Sequence, residues 1–552
     1  MIQYKVIDGL LLRDMAMAGS ALLEKNREAV DALNVFPVPD GDTGTNMSLT
    51  MQSAIREINS REFLRADEAA SALSKGALKG ARGNSGVITS QLLRGFAKSL
   101  KDVEKITPVQ FAQALKVGAD LAYKAVMKPK EGTILTVARV VAEEAQKQVQ
   151  KDPDNYEALF DVIIKSGYAI LAQTPEMLPV LKQANVVDSG GSGLMYIYSG
   201  YAAVLSGKSV EEIIAEATQD DGTFVDDHDK ITDLHHKYCV KYSIINVSED
   251  SEETDIDSLR RRLNRIGSYV HVDGDLSCIH VHVHTNHPGN AIEDGLEIGE
   301  VIDFRLENIV EERRRKEREL HPESAVEEKK EPEKEYGMVA VSLGDGFSQI
   351  FHDLGVDKVV EGGQTMNPSI EDIQGAIRQV NARHVFVFPN NGNVILAAQQ
   401  AASLTEDRKV YVVPTKNVAM GIAAAVAFQE DAAPEDNFRR MDEASQHVKT
   451  GTVTYAVRDS EYNNIHIKQG DIIGLHNGQI EYSGKDVHDV AMQMMKAVVD
   501  EESELITVYY GADTNEADAQ ALADEIGREF PDCDVECHRG GQPLYYYLIS
   551  VE

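Results

Sequence analysis

The sequence predicts a multidomain protein: an all-α helical N-terminal domain, a small α+β middle domain and an α/β C-terminal domain of two lobes. Three observations carry this. Residues 1–215 read as helix after helix, rich in Ala, Leu, Glu and Lys, with Leu10, Leu11, Met15, Met17 and Leu22 to Leu23 recurring near helical spacing. Over 228–315, strand-like runs alternate with one amphipathic helix. Over 336–552, short apolar runs each precede a polar turn and a helical segment. A chain of 552 residues also exceeds what a single core serves.

Within the first region the periodic apolar residues are core. A polar stretch, TQDDGTFVDDHDK, then separates the middle domain. There YCVKYSIINV and HVDGDLSCIHVHVHTNHPG read as strands, with DIDSLRRRLNRIG as the helix between them. The run EERRRKERELHPESAVEEKKEPEKE reads as a helix end and a charged linker over 316–335, with Arg313 to Arg315 as solvated helix surface or, alternatively, a partner contact. In the C-terminal region GMVAVSLG, HVFVFPNN, KVYVVPTK and LITVYYGAD are of parallel-strand type. GGQTMNPS at Gly362 and GGQPLYYYLIS at Gly540 echo one another, either by chance or as marks of two similar lobes. Between the lobes, TGTVTYAVRDS and NNIHIKQGDIIGLHNGQIEY alternate apolar with polar residues, an antiparallel patch with a hairpin turn at Asn477-Gly478.

A net charge of −35 argues against nucleic acid, and against docking on anionic lipid by simple electrostatics. Four cysteines are too few for a disulfide framework and point to a reducing compartment. No apolar run of about eighteen residues occurs, and MIQYKVIDG lacks a signal-peptide core, so a cytoplasmic protein without a membrane span is expected.

The densest chemistry lies in NVFPVPDGDTGTNM, from Asn34 to Met47. Asp40 and Asp42 sit one residue apart in a loop shaped by Pro37, Pro39, Gly41 and Gly44. Crowded carboxylates repel unless a cation neutralises them, and hard oxygens favour Mg²⁺ or Ca²⁺. Asn34 offers an amide oxygen, and Thr43, Thr45 and Asn46 offer neutral hydrogen-bonding groups. A solvated Asx turn is the competing reading. An EF-hand fits poorly, because the glutamate at its last ligand position is missing.

Three further segments favour a nucleotide pocket. In KGALKGARGNSGVITSQLLRGFA, Gly76, Gly80, Gly83 and Gly86 allow close backbone approach before an apolar helical run. Such a helix N-terminus suits phosphate. Asn84 and Ser85 can cap that helix or donate to phosphate oxygens. In KPKEGTILTVAR, Gly132 and Thr133 precede another helix, and in NVVDSGGSGLMYIYSGY, Asp188 does the same. Close helix packing is the competing reason for these glycines. No GxxxxGK[ST] run occurs, nor the protein-kinase HRD and DFG set.

PVPDGDTGTNM, GARGNSG, EGTILTV and VVDSGGSGL together resemble the nucleotide-binding domain of the dihydroxyacetone kinase superfamily. Their order, and the regions that follow, resemble more closely the ATP-binding subunit of bacterial fatty acid kinase. The resemblance implies a barrel of antiparallel helices with ATP and two Mg²⁺ ions at one end. It places metal ligands on Asp40 and Asp42, with Asn34 at the third position, usually acidic. It places phosphate and adenine contacts on Thr45, Asn46, Gly83, Asn84, Ser85, Thr133 and Asp188, to which the loop chemistry adds Thr43 and Asn34 as candidate nucleotide contacts. Arg82 either stabilises developing charge or lies on the surface.

A second constellation lies in the middle domain. His280, His282 and His284 alternate, so on a strand they share a face. Cys239 lies on the other predicted strand, and pairing could bring it to His282 and His284. Imidazoles and a thiolate suit Zn²⁺. Buried histidines satisfied by hydrogen bonds, beside a small apolar cysteine, are the alternative. The resemblance makes the cysteine and those two histidines functionally important, and leaves His280 and His287 less secure.

The reaction expected is ATP-dependent phosphorylation of a fatty acid carboxylate to an acyl phosphate for phospholipid synthesis. The resemblance implies that a separate fatty-acid-binding protein presents the acid. The C-terminal region would dock that partner, and the middle domain would couple or dimerise subunits in a homodimer. Alternatives are a dihydroxyacetone-type small-molecule kinase, and a non-catalytic ATP-binding scaffold. In single-chain dihydroxyacetone kinases the substrate domain comes first; here the nucleotide domain leads.

Overall fold

The computed structural model describes residues 4–34, 41–218, 237–247, 253–275, 277–308, 334–363, 366–456, 460–462 and 465–552. Asp40 and the Arg313 to Arg315 cluster lie outside them. The chain divides into two compact units, Met1–Ala217 with Pro332–Glu552, and Thr218–Glu331.

In the first unit, eight long helices follow one another: Gly9–Lys25, Thr43–Ile58, Ala66–Gly80, Gly83–Ser99, Pro108–Ala125, Ile134–Lys151, Tyr156–Leu171 and Ser189–Leu205. Each packs on the next, and the last packs on the first, closing a ring. Local chemistry sets several starts. Asp8 accepts from Leu11 N–H at 3.0 Å. Thr107 and Gln110 form a capping box with Pro108 in the first turn, and Asn155 accepts from Ala158 N–H. Glycines fix the spacing where backbones touch. A Cβ on Gly200 would stand 2.4 Å from the Gly19 nitrogen, and one on Gly95 would stand 2.6 Å from the Gly118 Cα. Met15, Met47, Met51, Phe111 and Tyr156 fill the interior. Among the described residues no helix is long and apolar enough to cross a membrane.

The second unit holds strands β1 (Tyr238–Ile245), β2 (Gly267–Asp275), β3 (Cys278–Thr285) and β4 (Glu300–Asn308), in the antiparallel order β2-β3-β1-β4. The single run HVDGDLSCIHVHVHT is thus a hairpin, turned after Gly274, whose φ of 123° suits glycine. The predicted helix is present at Glu253–Ile266, and a further one, Pro288–Leu296, follows His287.

The C-terminal region forms two sheets of different kinds. The first contains β5 (Lys334–Ser342), β6 (Lys358–Glu361), β7 (Ala382–Phe388) and β8 (Lys409–Val412), all parallel, in the order β6-β5-β7-β8. After β9 (Lys449–Tyr455), strands β10 (Ser460–Tyr462) and β11 (Ile465–Ile467) pair as a small ribbon. Strands β12 (Ile472–His476), β13 (Gln479–Gly484), β14 (Leu505–Tyr510), β15 (Asp534–Arg539) and β16 (Tyr545–Val551) complete the second sheet, β13-β12-β9-β16-β14-β15. Here the expectation is corrected. The antiparallel patch does not lie between the lobes; β9, β12 and β13 belong to the second sheet itself, joined through β16. Asn477 and Gly478, with φ of 48° and 81°, make the two-residue turn between β12 and β13.

The helical ring and the first lobe share a core. Ala81 and Val87 pack with Val339, Ile370, Ile373 and Val394. Backbone joins them as well: Ile370 N–H donates to the Ala81 carbonyl at 3.1 Å.

Candidate functional site

Four helix N-termini meet at one end of the ring, those of Thr43–Ile58, Gly83–Ser99, Ile134–Lys151 and Ser189–Leu205. The Ser189 hydroxyl lies 3.3 Å from that of Thr43. Asn46, buried in the first of these helices, packs its side-chain nitrogen against Gly83. Asp188 accepts from Gly191 N–H at 2.6 Å and also from Ile134 N–H. Helix starts carry partial positive charge, and although Asp31 and Asp188 take up several of their first N–H groups, the convergence makes this end a candidate anion site.

Asp42 stands at the N-cap of the first helix and is buried. Its carbonyl accepts from Asn46 N–H at 2.8 Å. Asp31, which sequence reasoning missed, braces the same turn. Its carboxylate accepts from Gly44 N–H at 2.6 Å, Thr45 N–H at 3.1 Å and the Thr45 hydroxyl at 2.8 Å. Burial pushes its pKa up, against the opposing effect of these hydrogen bonds. Asn34, expected as the third ligand, lies one turn beyond Asp31, whose carbonyl accepts its N–H at 3.0 Å.

Gly83 has φ of 57°, a left-handed conformation that favours glycine at this helix start. Asn84 donates to the Asn393 side chain at 3.0 Å, while its own Oδ1 is buried with no partner among the described residues. Ser85 lies in the first turn, its carbonyl accepting from Thr89. The Thr133 hydroxyl donates to the Lys130 carbonyl at 2.9 Å. Burial drives the Asp188 pKa up from 3.8 to about 6, with the two backbone N–H donors opposing the shift. Arg82 reaches across to the C-terminal region: its guanidinium donates to the Asn367 carbonyl at 2.7 Å and pairs with Asp372 at 3.3 Å.

The donor set at this end suits a magnesium–triphosphate group. Asp42 offers hard anionic oxygen, and the converging helix N-termini offer positive dipole ends near it.

In the second unit, register on β1 and β3 sets Cys239 opposite His284. The Cys239 Sγ lies 3.2 Å from His282 Nε2, which lies 3.1 Å from His284 Nε2. Cys239 and His284 are almost fully buried. All three donors fall within 4.8 Å of one another, a soft-plus-imidazole set that fits Zn²⁺ with one position left for another ligand. His280 is used elsewhere, 2.9 Å from the Ser243 hydroxyl. His287 caps the following helix by position. The unforeseen neighbour is His271 of β2, whose ring stacks 6.1 Å from that of His282.

Family models match the chain almost end to end. A DAK2 domain covers 37–203, the FakA-like middle domain of fatty acid kinase covers 235–316, and the FakA-like C-terminal domain of fatty acid kinase covers 337–552. Protein YloV of Bacillus subtilis (strain 168) is 40% identical over 561 residues, spanning 99% of this chain and 100% of that one. An uncharacterized protein of Staphylococcus aureus (strain USA300) is 38% identical over 552 residues, 99% of each chain. Among solved structures, the fatty acid kinase B3 protein of Streptococcus pneumoniae loaded with linoleic acid matches at TM-score 0.28 and 12% identity, over 40% of this chain and 99% of that one. The dihydroxyacetone kinase of C. freundii matches at TM-score 0.30 and 12% identity, over 39% of this chain and 48% of that one. With three consecutive domains matched and full-length relatives at this identity, the chain belongs to the FakA-like family of fatty acid kinase, with a kinase-type DAK2 domain at its start.

Proposed function

We propose that the chain is an ATP-dependent kinase that phosphorylates a fatty acid carboxylate held by a separate fatty-acid-binding protein, giving an acyl phosphate. The observation that carries this is the meeting of four helix N-termini around buried Asp42, within a family named for fatty acid kinase.

The acceptor is deprotonated near neutral pH, so attack needs no general base. Its carboxylate oxygen bonds to the γ-phosphorus, the bond from that phosphorus to the bridging oxygen breaks, and ADP leaves with the electron pair. Asp42, with Asp40, would hold Mg²⁺, which when bound neutralises charge on the phosphate oxygens. Thr43, Thr45, Asn46, Gly83, Asn84, Ser85, Thr133 and Asp188 would line the nucleotide around it. Asp31 holds Gly44 and Thr45 in place, so those N–H groups are spent on the protein and shape the turn. In the second unit Cys239, His282 and His284 would hold Zn²⁺.

Leaving an acyl chain in water forfeits about 0.8 kcal/mol per CH₂, which favours delivery by a binding protein. The C-terminal region is the proposed docking platform and the middle unit the proposed dimerising element. The domain limits read from sequence, 1–215, 228–315 and 336–552, are proposed for these three roles.

Labelled ATP offered with oleate, dihydroxyacetone and a fatty-acid-binding partner tests the reading. Label in acyl phosphate, only with the partner present, is expected. Label in dihydroxyacetone, or nucleotide bound without transfer, would refute it.

A further inference from the structure

The GGQTMNPS segment, set apart by its echo at Gly540, ends beside the acidic loop. Asn367 lies 325 residues from Asp42 in the chain, yet its side-chain N–H donates to Asp42 Oδ2 at 2.5 Å. It is 1% exposed. The same amide borders Gly83, where an added Cβ would stand 3.3 Å from Asn367 Nδ2 and 2.5 Å from Asn46 Nδ2. One small space is therefore shared by the acidic loop, the glycine-rich helix start and a residue of the C-terminal lobe.

The segment is held there by its backbone. Arg82 donates to the Asn367 carbonyl and pairs with Asp372. Asp372 in turn accepts from the N–H and hydroxyl of Ser369, in a capping box that starts the Ile370–Gln379 helix. Ile370 N–H closes onto the Ala81 carbonyl. Simple packing of this segment does not require the Asn367 amide to reach Asp42.

A second observation points to a ligand. The Asn367 Oδ1 is buried with no hydrogen-bond partner among the described residues. A buried acceptor left unmatched is unfavourable unless something else meets it. An amide has two poles: its N–H satisfies a carboxylate, and its oxygen is a hard ligand of the kind Mg²⁺ and Ca²⁺ accept.

We infer that Asn367 is a positioning residue of the nucleotide–metal site, orienting the Asp42 carboxylate and offering its Oδ1 to the divalent cation and its waters. The phosphoryl-transfer centre is then composite, built from the helical ring and completed by the first α/β lobe. This rests on the reading of the Asp42 end as a Mg²⁺–ATP site.

The test is calorimetric titration of the full-length chain with a non-hydrolysable ATP analogue over a series of Mg²⁺ concentrations. Asn367→Ala is expected to raise the Mg²⁺ needed for half-maximal uptake about tenfold or more, as loss of a metal-orienting partner does. Asn367→Asp, which keeps an oxygen ligand but replaces the N–H donor with a second carboxylate oxygen facing Asp42, is expected to restore uptake at saturating Mg²⁺ and to fail at low Mg²⁺. Hydrogen exchange on the unmutated chain supplies a readout independent of folding defects: analogue plus Mg²⁺ should protect 366–372 as well as 41–50. Unchanged or tighter uptake in Asn367→Ala, or protection confined to the helical ring, overturns the inference. If the unmutated chain itself takes up no analogue, the kinase reading fails first, and this one with it.

Discussion

Asp31 accepts both the backbone N–H and the hydroxyl of Thr45, at 3.1 and 2.8 Å, and so pins the first turn of the helix that Asp42 begins. Asp31→Ala strips those donors, and Gly44 N–H, of their acceptor. We predict a loss of about 1–3 kcal/mol of stability, the cost of buried groups left unmatched. Asp31→Asn, which keeps one acceptor oxygen, should lose less. Urea denaturation of the three proteins checks this ordering.

Asp188 gives a pH prediction. Its folded-state pKa is raised from 3.8 to about 6 by burial, so between those values the folded chain binds more protons at this group than the unfolded chain does. The contribution of this group to stability is therefore greatest at acid pH and falls as pH rises toward about 6, then levels off. Asp188→Asn keeps an acceptor for Gly191 and removes the titration. The melting-temperature difference, variant minus unmutated chain, should grow between those pH values and be flat above them; a difference independent of pH would contradict the assignment.

Gly83→Ala places a methyl group where φ is 57° and Asn46 Nδ2 would be 2.5 Å away. The left-handed backbone alone costs about 1–2 kcal/mol for a residue with a Cβ. Because Asn46 must move, nucleotide affinity should fall further than stability. Parallel measurement of Kd and Tm tests that inequality.

For the second unit, the Cys239, His282 and His284 cluster should retain Zn²⁺ through purification, and Co²⁺ in its place should show thiolate absorption. Cys239→Ser should abolish that absorption, and His284→Ala should lower metal content. Metal analysis finding no zinc in freshly purified chain, with no cobalt band after reconstitution, would leave the cluster a hydrogen-bonded set only.

What the sequence disclosed, and what it hid, follows the range of each interaction. Helix starts at Thr43, Gly83, Ile134 and Ser189 rest on neighbouring Asp, Gly, Asn and Thr residues, and such local chemistry is readable. The hairpin at Asn477-Gly478 is readable for the same reason. Cys239 meets His282 because strand pairing obeys alternation, though register had to come from the structure. Asp31 was hidden, because its partners lie 13 and 14 residues onward and only the fold brings them back. Asn367 was hidden more deeply, since nothing local ties it to Asp42. The second lobe was misread where Tyr545–Val551 joins β9 to β14: aromatic runs signal a strand, not which neighbours it takes.

The most direct test is calorimetric titration of the full-length chain with ATP, with and without Mg²⁺, beside Asp42→Ala. Saturable uptake that requires Mg²⁺ and vanishes in Asp42→Ala is the result expected. Uptake undiminished by that substitution, or none at saturating Mg²⁺, would contradict a triphosphate site at the meeting of these helix N-termini.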